Sequence, residues 1–156
     1  MRVAVLGSTG YVGGRLVPKL LDAGHEVRCL VRTPEKLASV EWRSEVDVVQ
    51  ADVLDEASMV AALDGIEAVF YLVHAMGLSG DFERTDRIGA ENTCAAAAAT
   101  GVGRIVYLGG LGEDDPTKLS DHLASRHEVG EILAAGPVPV TELRAAVIIG
   151  SGSASF

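Results

Sequence analysis

Three glycines at every third position, Gly7, Gly10 and Gly13, stand directly behind the apolar run RVAVL. Backbone geometry gives that spacing a chemical meaning. One glycine permits a sharp turn out of a strand, a second lets the backbone approach a ligand with no side chain between, and a third lets the following helix lie close on the sheet. The N–H groups at the helix start then point outward together, and the helix dipole adds partial positive charge, which suits a pyrophosphate. No Gly-Lys-Ser/Thr follows the loop, so a mononucleotide P-loop is excluded. The spacing predicts a bound dinucleotide; the competing reading is an ordinary glycine-rich turn.

The stretch CLVRTPEKL bears on which dinucleotide. An NAD site carries an acidic residue about 20 residues beyond the loop to accept from the ribose 2′-hydroxyl. This chain has Arg32 at that point and Lys36 one helical turn on. Cations suit a 2′-phosphate and leave a hydroxyl without its acceptor, so NADP is expected in preference to NAD. The alternative is that Arg32 is a solvated loop cation. Asp52 and Val53, in the ADV that follows the third candidate strand, would lie beside the adenine. Asp52 either accepts from the adenine amino group or caps the next helix.

These residues need elements to hold them, and the hydrophobic periodicity supplies them. Strands are predicted at Arg2–Leu6, Glu26–Val31, Val46–Gln50, Ala68–Leu72, Arg104–Leu108 and Val140–Arg144, several of them continuously apolar as strands buried on both faces are. Helices are predicted at Tyr11–Ala23, Asp55–Leu63, Asp81–Thr100 and Ser120–Ala135, followed by Gly24, Gly65, Gly101 and Gly136. Pro34 suits a first helical position and Asp55 an N-cap. The run AAAAA at Ala95–Ala99 fits a helix packed on a sheet. Strands alternating with helices imply right-handed βαβ crossovers. The expected fold is therefore α/β: one Rossmann-type domain with a doubly wound parallel sheet of strand order 3-2-1-4-5-6.

Composition narrows the function classes. The 156 residues are 48% apolar, enough for one packed domain, and the formal charge of −9 with no basic run argues against a nucleic-acid partner. No apolar stretch has the length of a membrane helix, and the five-residue apolar run near the N-terminus is short for a signal peptide. Cys29 and Cys94 lie far apart, and no histidine stands at metal-ligand spacing, so two reduced thiols, no metal and a cytoplasmic location are expected. The chain stops just after the sixth candidate strand, on Phe156, which suggests a fragment whose substrate-binding part lies further on.

With these motifs the chain resembles the short-chain dehydrogenase/reductase superfamily in its extended and atypical branches. The specific likeness is to NmrA-like NAD(P)H-binding proteins and nucleoside-diphosphate-sugar epimerase-like proteins. GSTGYVGG is similar to the family's glycine loop, LVRTPEKL to its NADP-type second turn, ADVLD to its adenine contact, and AAATGVGRIVYLGGLG to its fourth helix and fifth strand. LRAAVIIGSG resembles the segment that lines the nicotinamide side. The resemblance implies that Gly7, Thr9, Gly10, Tyr11, Val12 and Gly13 hold the cofactor.

The departure is in the catalytic positions. The family relies on Ser or Thr after the fifth strand and Tyr-x-x-x-Lys on the next helix, whereas this chain has Gly109-Gly110 and, at the i, i+4 spacing, His122 and Arg126. Imidazole can act as acid or base near neutral pH. Arginine keeps its proton and would hydrogen-bond ribose or substrate. The alternative for His122 is a surface residue without chemical role. His74, at the end of YLVH beside the crevice, would contact the nicotinamide half or the substrate, or else is a hydrogen-bonded loop histidine. Tyr71 is a further candidate there, while Tyr107 fits the core. Asp86 stands where many relatives carry an asparagine that organises a relay water. Two functions follow: an NADP(H)-dependent oxidoreductase or epimerase-type enzyme of unknown small-molecule substrate, or a non-catalytic NADP(H)-sensing regulatory protein.

Overall fold

The computed structural model describes residues 1–75, 82–112 and 120–153. Strands β1 (Arg2–Leu6), β2 (Glu26–Val31), β3 (Asp47–Gln50), β4 (Ala68–Tyr71), β5 (Arg104–Gly110) and β6 (Val140–Ala145) alternate with helices α1 (Tyr11–Asp22), α2 (Glu56–Leu63), α3 (Phe82–Thr100) and α4 (Asp121–Ala135). The exception lies between β2 and β3, where two 3₁₀ turns, Pro34–Leu37 and Glu41–Glu45, replace a full helix. All six strands are parallel and run β3-β2-β1-β4-β5-β6 across the sheet. This is the predicted Rossmann-type order.

The apolar runs behave as strands covered on both faces. Along β1, Val3 and Val5 join a layer with Val17, Leu20, Val27, Cys29 and Trp42, while Ala4 and Leu6 join the opposite layer with Met59, Leu63, Val69 and Leu133. Period-two alternation thus buries every residue of β1 after Arg2, with cover on both sides. β3 and β6 form the sheet's edges and are the more exposed strands. Helix α3 reaches the sheet through small residues: Ala90, Ala96 and Ala97 are wholly buried, and a Cβ on Gly89 would stand 3.0 Å from the Val53 Cγ2 and 3.1 Å from the Tyr71 hydroxyl. The alanine run is helix, as its composition implied.

Helix ends follow local chemistry with one correction. Asp55 accepts a hydrogen bond from the Ser58 N–H at 3.2 Å and caps α2, Ser120 caps α4, and Pro34 occupies the start of its turn. Gly24, Gly65 and Gly101 have the positive φ of helix-ending glycines, but Gly136 has φ −72°. Gly136 is needed for room instead: a Cβ there would stand 3.1 Å from the Cys94 sulfur of α3. The 3₁₀ turn at Glu41–Glu45 and the later start of β3, at Asp47 where Val46 was predicted, reflect Trp42, whose indole is buried against the layer below β2. Both cysteines are free, and burial pushes the Cys29 thiol up to about 11 and the Cys94 thiol above its ordinary range. Among the described residues, no helix is long and apolar enough to cross a membrane.

Leu133 is wholly buried where α4 meets the sheet. Leu133→Ala is expected to cost about 2–5 kcal/mol of unfolding free energy, the range for emptying a buried leucine site, measured by denaturant titration.

Candidate functional site

A cleft of about 450 Å³ opens beside the carboxyl ends of β1, β2, β4 and β5. Its middle is the glycine loop. Gly7 sits at φ +90° with its α-carbon face against the Leu72 backbone, where a Cβ would stand 3.0 Å from the carbonyl, so an L side chain is excluded on two counts. Gly13, in the first turn of α1, lies so near that a Cβ would collide with the Gly7 carbonyl oxygen and stand 2.7 Å from the Ser8 α-carbon. The loop closes through the Gly10 N–H, which donates to the Gly7 carbonyl at 2.9 Å. Gly10 is the N-cap of α1; it brings no side chain to occupy the helix's first N–H groups, and the first turn has no acidic residue. An anion-binding helix start has these properties. The cradle fits a pyrophosphate, and Gly7, Thr9, Gly10, Tyr11, Val12 and Gly13 all line the cleft.

At one end of the cleft stand Leu30, Val31 and Arg32. The Arg32 backbone is tied to β3 by the Gln50 side-chain amide, which donates to its carbonyl at 3.1 Å. The Arg32 guanidinium is exposed and makes no ion pair among the described residues. Lys36 lies on the turn beyond and does not line the cleft. Val53 does line it, held by the Asn92 side-chain amide donating to its carbonyl at 2.8 Å. Asp52 does not: its carboxylate accepts from the Leu54 N–H at 3.0 Å and shapes the turn before α2, whose cap is Asp55.

The other end gathers residues from three elements. His74, just past β4, places Nδ1 2.6 Å from Asp86 Oδ2 on α3. Asp86 is 6% exposed, and its carboxylate also accepts from the Ala75 N–H at 2.7 Å and from the Ser125 hydroxyl of α4 at 2.9 Å. Burial pushes this carboxyl up, but the hydrogen bonds and charge of His74, with the Ala75 and Ser125 donors, outweigh it and hold the group below the usual carboxylate range. Arg126 lines the cleft and donates to the Leu108 carbonyl. His122, one turn earlier on α4, is exposed and outside the cleft lining; its ring stacks on Phe82 at 4.6 Å and meets the His74 ring edge-on at 5.7 Å. The i, i+4 spacing therefore brings Arg126 into the cleft and sets His122 at its border.

The tyrosines do not supply the family's acid. Tyr107 is core: its hydroxyl donates to the Arg126 carbonyl at 2.9 Å, and burial pushes it up to about 12. Tyr71 lines the cleft, but burial and then the Asp86 charge drive its hydroxyl far above its ordinary range. Glycines stand where the usual serine would be, with side-chain ends packed beside them. A Cβ on Gly110 would stand 2.7 Å from Leu123, and one on Gly109 would run into the Glu142 carboxylate. Sequence reading missed Ser125 and Asn92. Both act through partners 39 residues away, and no local pattern signals such a contact.

A parallel sheet of this order, with a glycine-cradled cleft at its switch point, defines a Rossmann-type dinucleotide-binding domain. Residues 7–148 match the NAD(P)H-binding family, and the chain belongs to it, as an atypical short-chain dehydrogenase/reductase. It is 36% identical over 116 residues to a 3β-hydroxysteroid dehydrogenase/Δ5→4-isomerase of Mycobacterium tuberculosis, an alignment covering 68% of this chain and 30% of that one. A putative NAD-dependent epimerase/dehydratase from Bacillus halodurans superposes with a TM-score of 0.83 at 26% identity, over 94% of this chain and 70% of that one. An NADPH-dependent quinone oxidoreductase from Escherichia coli, solved with NADPH, gives 0.74 at 28% identity over 91% of this chain and 48% of that one. The matched part spans between 12% and 36% of the length of the curated relatives it resembles.

Gly13→Ala is expected to destabilise the protein by about 1–3 kcal/mol, as overpacking does. It is also expected to weaken NADPH binding by more than about tenfold, or 1.4 kcal/mol, measured by calorimetry on the folded variant. A second expectation concerns acid. The Asp86 pKa is lowered by folding, so its contribution to stability is present above its unfolded value of 3.8 and is lost as pH falls through the folded one. Asp86→Asn should therefore be less stable than wild type at neutral pH, with the gap narrowing below pH 3.8 in denaturant titrations.

Proposed function

We propose that this protein is an NADP(H)-dependent oxidoreductase or epimerase-type enzyme acting on a small-molecule substrate. The observation that carries the proposal is the continuity of the cleft. It runs from Arg32 past the glycine cradle to His74, Asp86 and Arg126, so one dinucleotide can lie across it with its two ends in chemically different surroundings. In that pose Arg32 pairs with the 2′-phosphate, the α1 N-terminus takes the pyrophosphate, and Val53 flanks the adenine. The β4–β5 end receives the nicotinamide. When bound, the cofactor supplies hydride chemistry; the chain's own residues orient it and handle protons.

Arg126 serves as a fixed donor to ribose or substrate oxygen. Proton handling falls to imidazole, with His122 and His74 in ring contact at this end. The similarity to a steroid dehydrogenase/isomerase and to a quinone oxidoreductase supports an oxidoreductase reading. The net charge of −9 favours a small-molecule partner over nucleic acid. The two unpaired thiols favour the cytoplasm.

Calorimetric titration with NADPH and NADH tests the cofactor choice. Wild type is expected to bind NADPH more tightly by about 1.5–3 kcal/mol, the usual worth of a hydrogen bond to a charged group. Arg32→Asp should remove that preference while leaving NADH affinity close to wild type. Equal wild-type affinity for both would refute the NADP assignment.

A further inference from the structure

The nicotinamide end of the cleft holds an arrangement that the glycine loop does not need: an imidazole whose orientation is fixed by a buried carboxylate that is itself fixed by two other donors. Asp86 accepts from His74 Nδ1 at 2.6 Å, from the Ala75 N–H at 2.7 Å and from the Ser125 hydroxyl at 2.9 Å. All these partners are donors, which suits an ionised carboxylate and leaves no role for a protonated one. A carboxylate at Nδ1 requires the imidazole proton to be on that nitrogen. Among the described residues none bonds Nε2, and His74 lines the cleft. His122, by contrast, is exposed, lies outside the lining and has no carboxylate partner among the described residues.

We propose that His74 is the proton donor and acceptor for the substrate oxygen, with Asp86 and Ser125 as its positioning residues. The proposal rests on the NAD(P)H reading of the cleft and adds the residue that replaces the absent tyrosine. In the reducing direction a bound reduced nicotinamide would supply the hydride that the substrate carbonyl carbon takes up. The carbonyl π pair moves onto oxygen, and that oxygen takes the Nε2 proton of the His74 imidazolium. His74 is left neutral with its proton on Nδ1, and solvent restores the Nε2 proton. Carbonyl, reduced cofactor and one proton become alcohol and oxidised cofactor. Throughout, Asp86 holds the ring in one orientation, as a carboxylate does behind other catalytic histidines. The favoured substrate class is an aldehyde or ketone whose oxygen reaches the His74 side of the cleft.

Nitrogen NMR of the histidine rings in the full chain tests the arrangement without any turnover. Neutral His74 is expected with its proton on Nδ1, and Asp86→Asn is expected to shift it toward the ordinary Nε2–H form. Ser125→Ala, a milder change, should shift it part of the way. NADP⁺ should move the Nε2 resonance, whereas adenosine 2′-monophosphate, which fills only the Arg32 end, should not. His74→Gln should retain NADPH affinity yet lower NADPH-dependent reduction of phenanthrenequinone by about 10²–10⁴-fold. A wild-type Nε2–H tautomer, bound NADP⁺ that leaves His74 unmoved, undiminished turnover by His74→Gln, or a wild type that binds NADPH and reduces no quinone would each overturn the assignment. Failure to bind either dinucleotide, seen in the calorimetric isotherm alone, would instead overturn the cofactor reading beneath it.

Discussion

Helix α1 can leave β1 as it does because no side chain stands between Gly13 and the Gly7 carbonyl. That contact of backbone on backbone sets the height of α1 above the sheet. It thereby sets where the free N–H groups of the first turn point and how wide the cleft is at its middle. The chain could turn elsewhere with other residues, but the approach of helix to strand has no substitute chemistry. Atoms are simply missing where a β-carbon would be. Elsewhere glycines make room for side chains instead: Gly89 of α3 for those of Val53 and Tyr71, and Gly110 of β5 for Leu123 of α4. The cleft is thus bounded by three close approaches, each permitted by the absence of a side chain.

Against this backbone-dominated frame, the buried charge at Asp86 stands out. A carboxylate in an apolar layer beside Tyr71 and Tyr107 is unfavourable unless donors surround it. Here they come from the residues just after β4 and from α4, so the ion ties α3 to both. One carboxylate therefore has two effects: it joins α3 to α4, and it selects the tautomer of a histidine at the cleft.

Much of this is legible in the amino-acid sequence. Strand order followed from the alternation of short apolar runs with helical periods, and the glycine cradle followed from spacing plus the strand before it. Local rules also located the Asp55 cap. They failed where distant residues decide. Val46 has strand chemistry, yet Trp42 needs a buried seat and draws the preceding backbone into a 3₁₀ turn. Gly136 ends α4 as its position suggests, yet at φ −72°, and it is Cys94 on another helix that needs the room. Asp52 could serve a ligand or its own turn, and its nearest N–H claims it. His122 and Arg126 share a helical face by spacing, but only the arginine lines the cleft, and how far along a helix a cleft extends is not encoded locally.

The deep seat of Cys29 has a consequence for how this protein meets oxidants. A thiol attacks peroxide or a disulfide as its anion, and at neutral pH a group pushed up to about 11 supplies almost none. Cys94, raised in the same direction, has its sulfur turned toward the carbonyls at the end of α4, 3.6 Å from that of Ile132. Sulfur chemistry is therefore nearly silent in the folded chain. Oxidation of the two cysteines would therefore report unfolding rather than regulation.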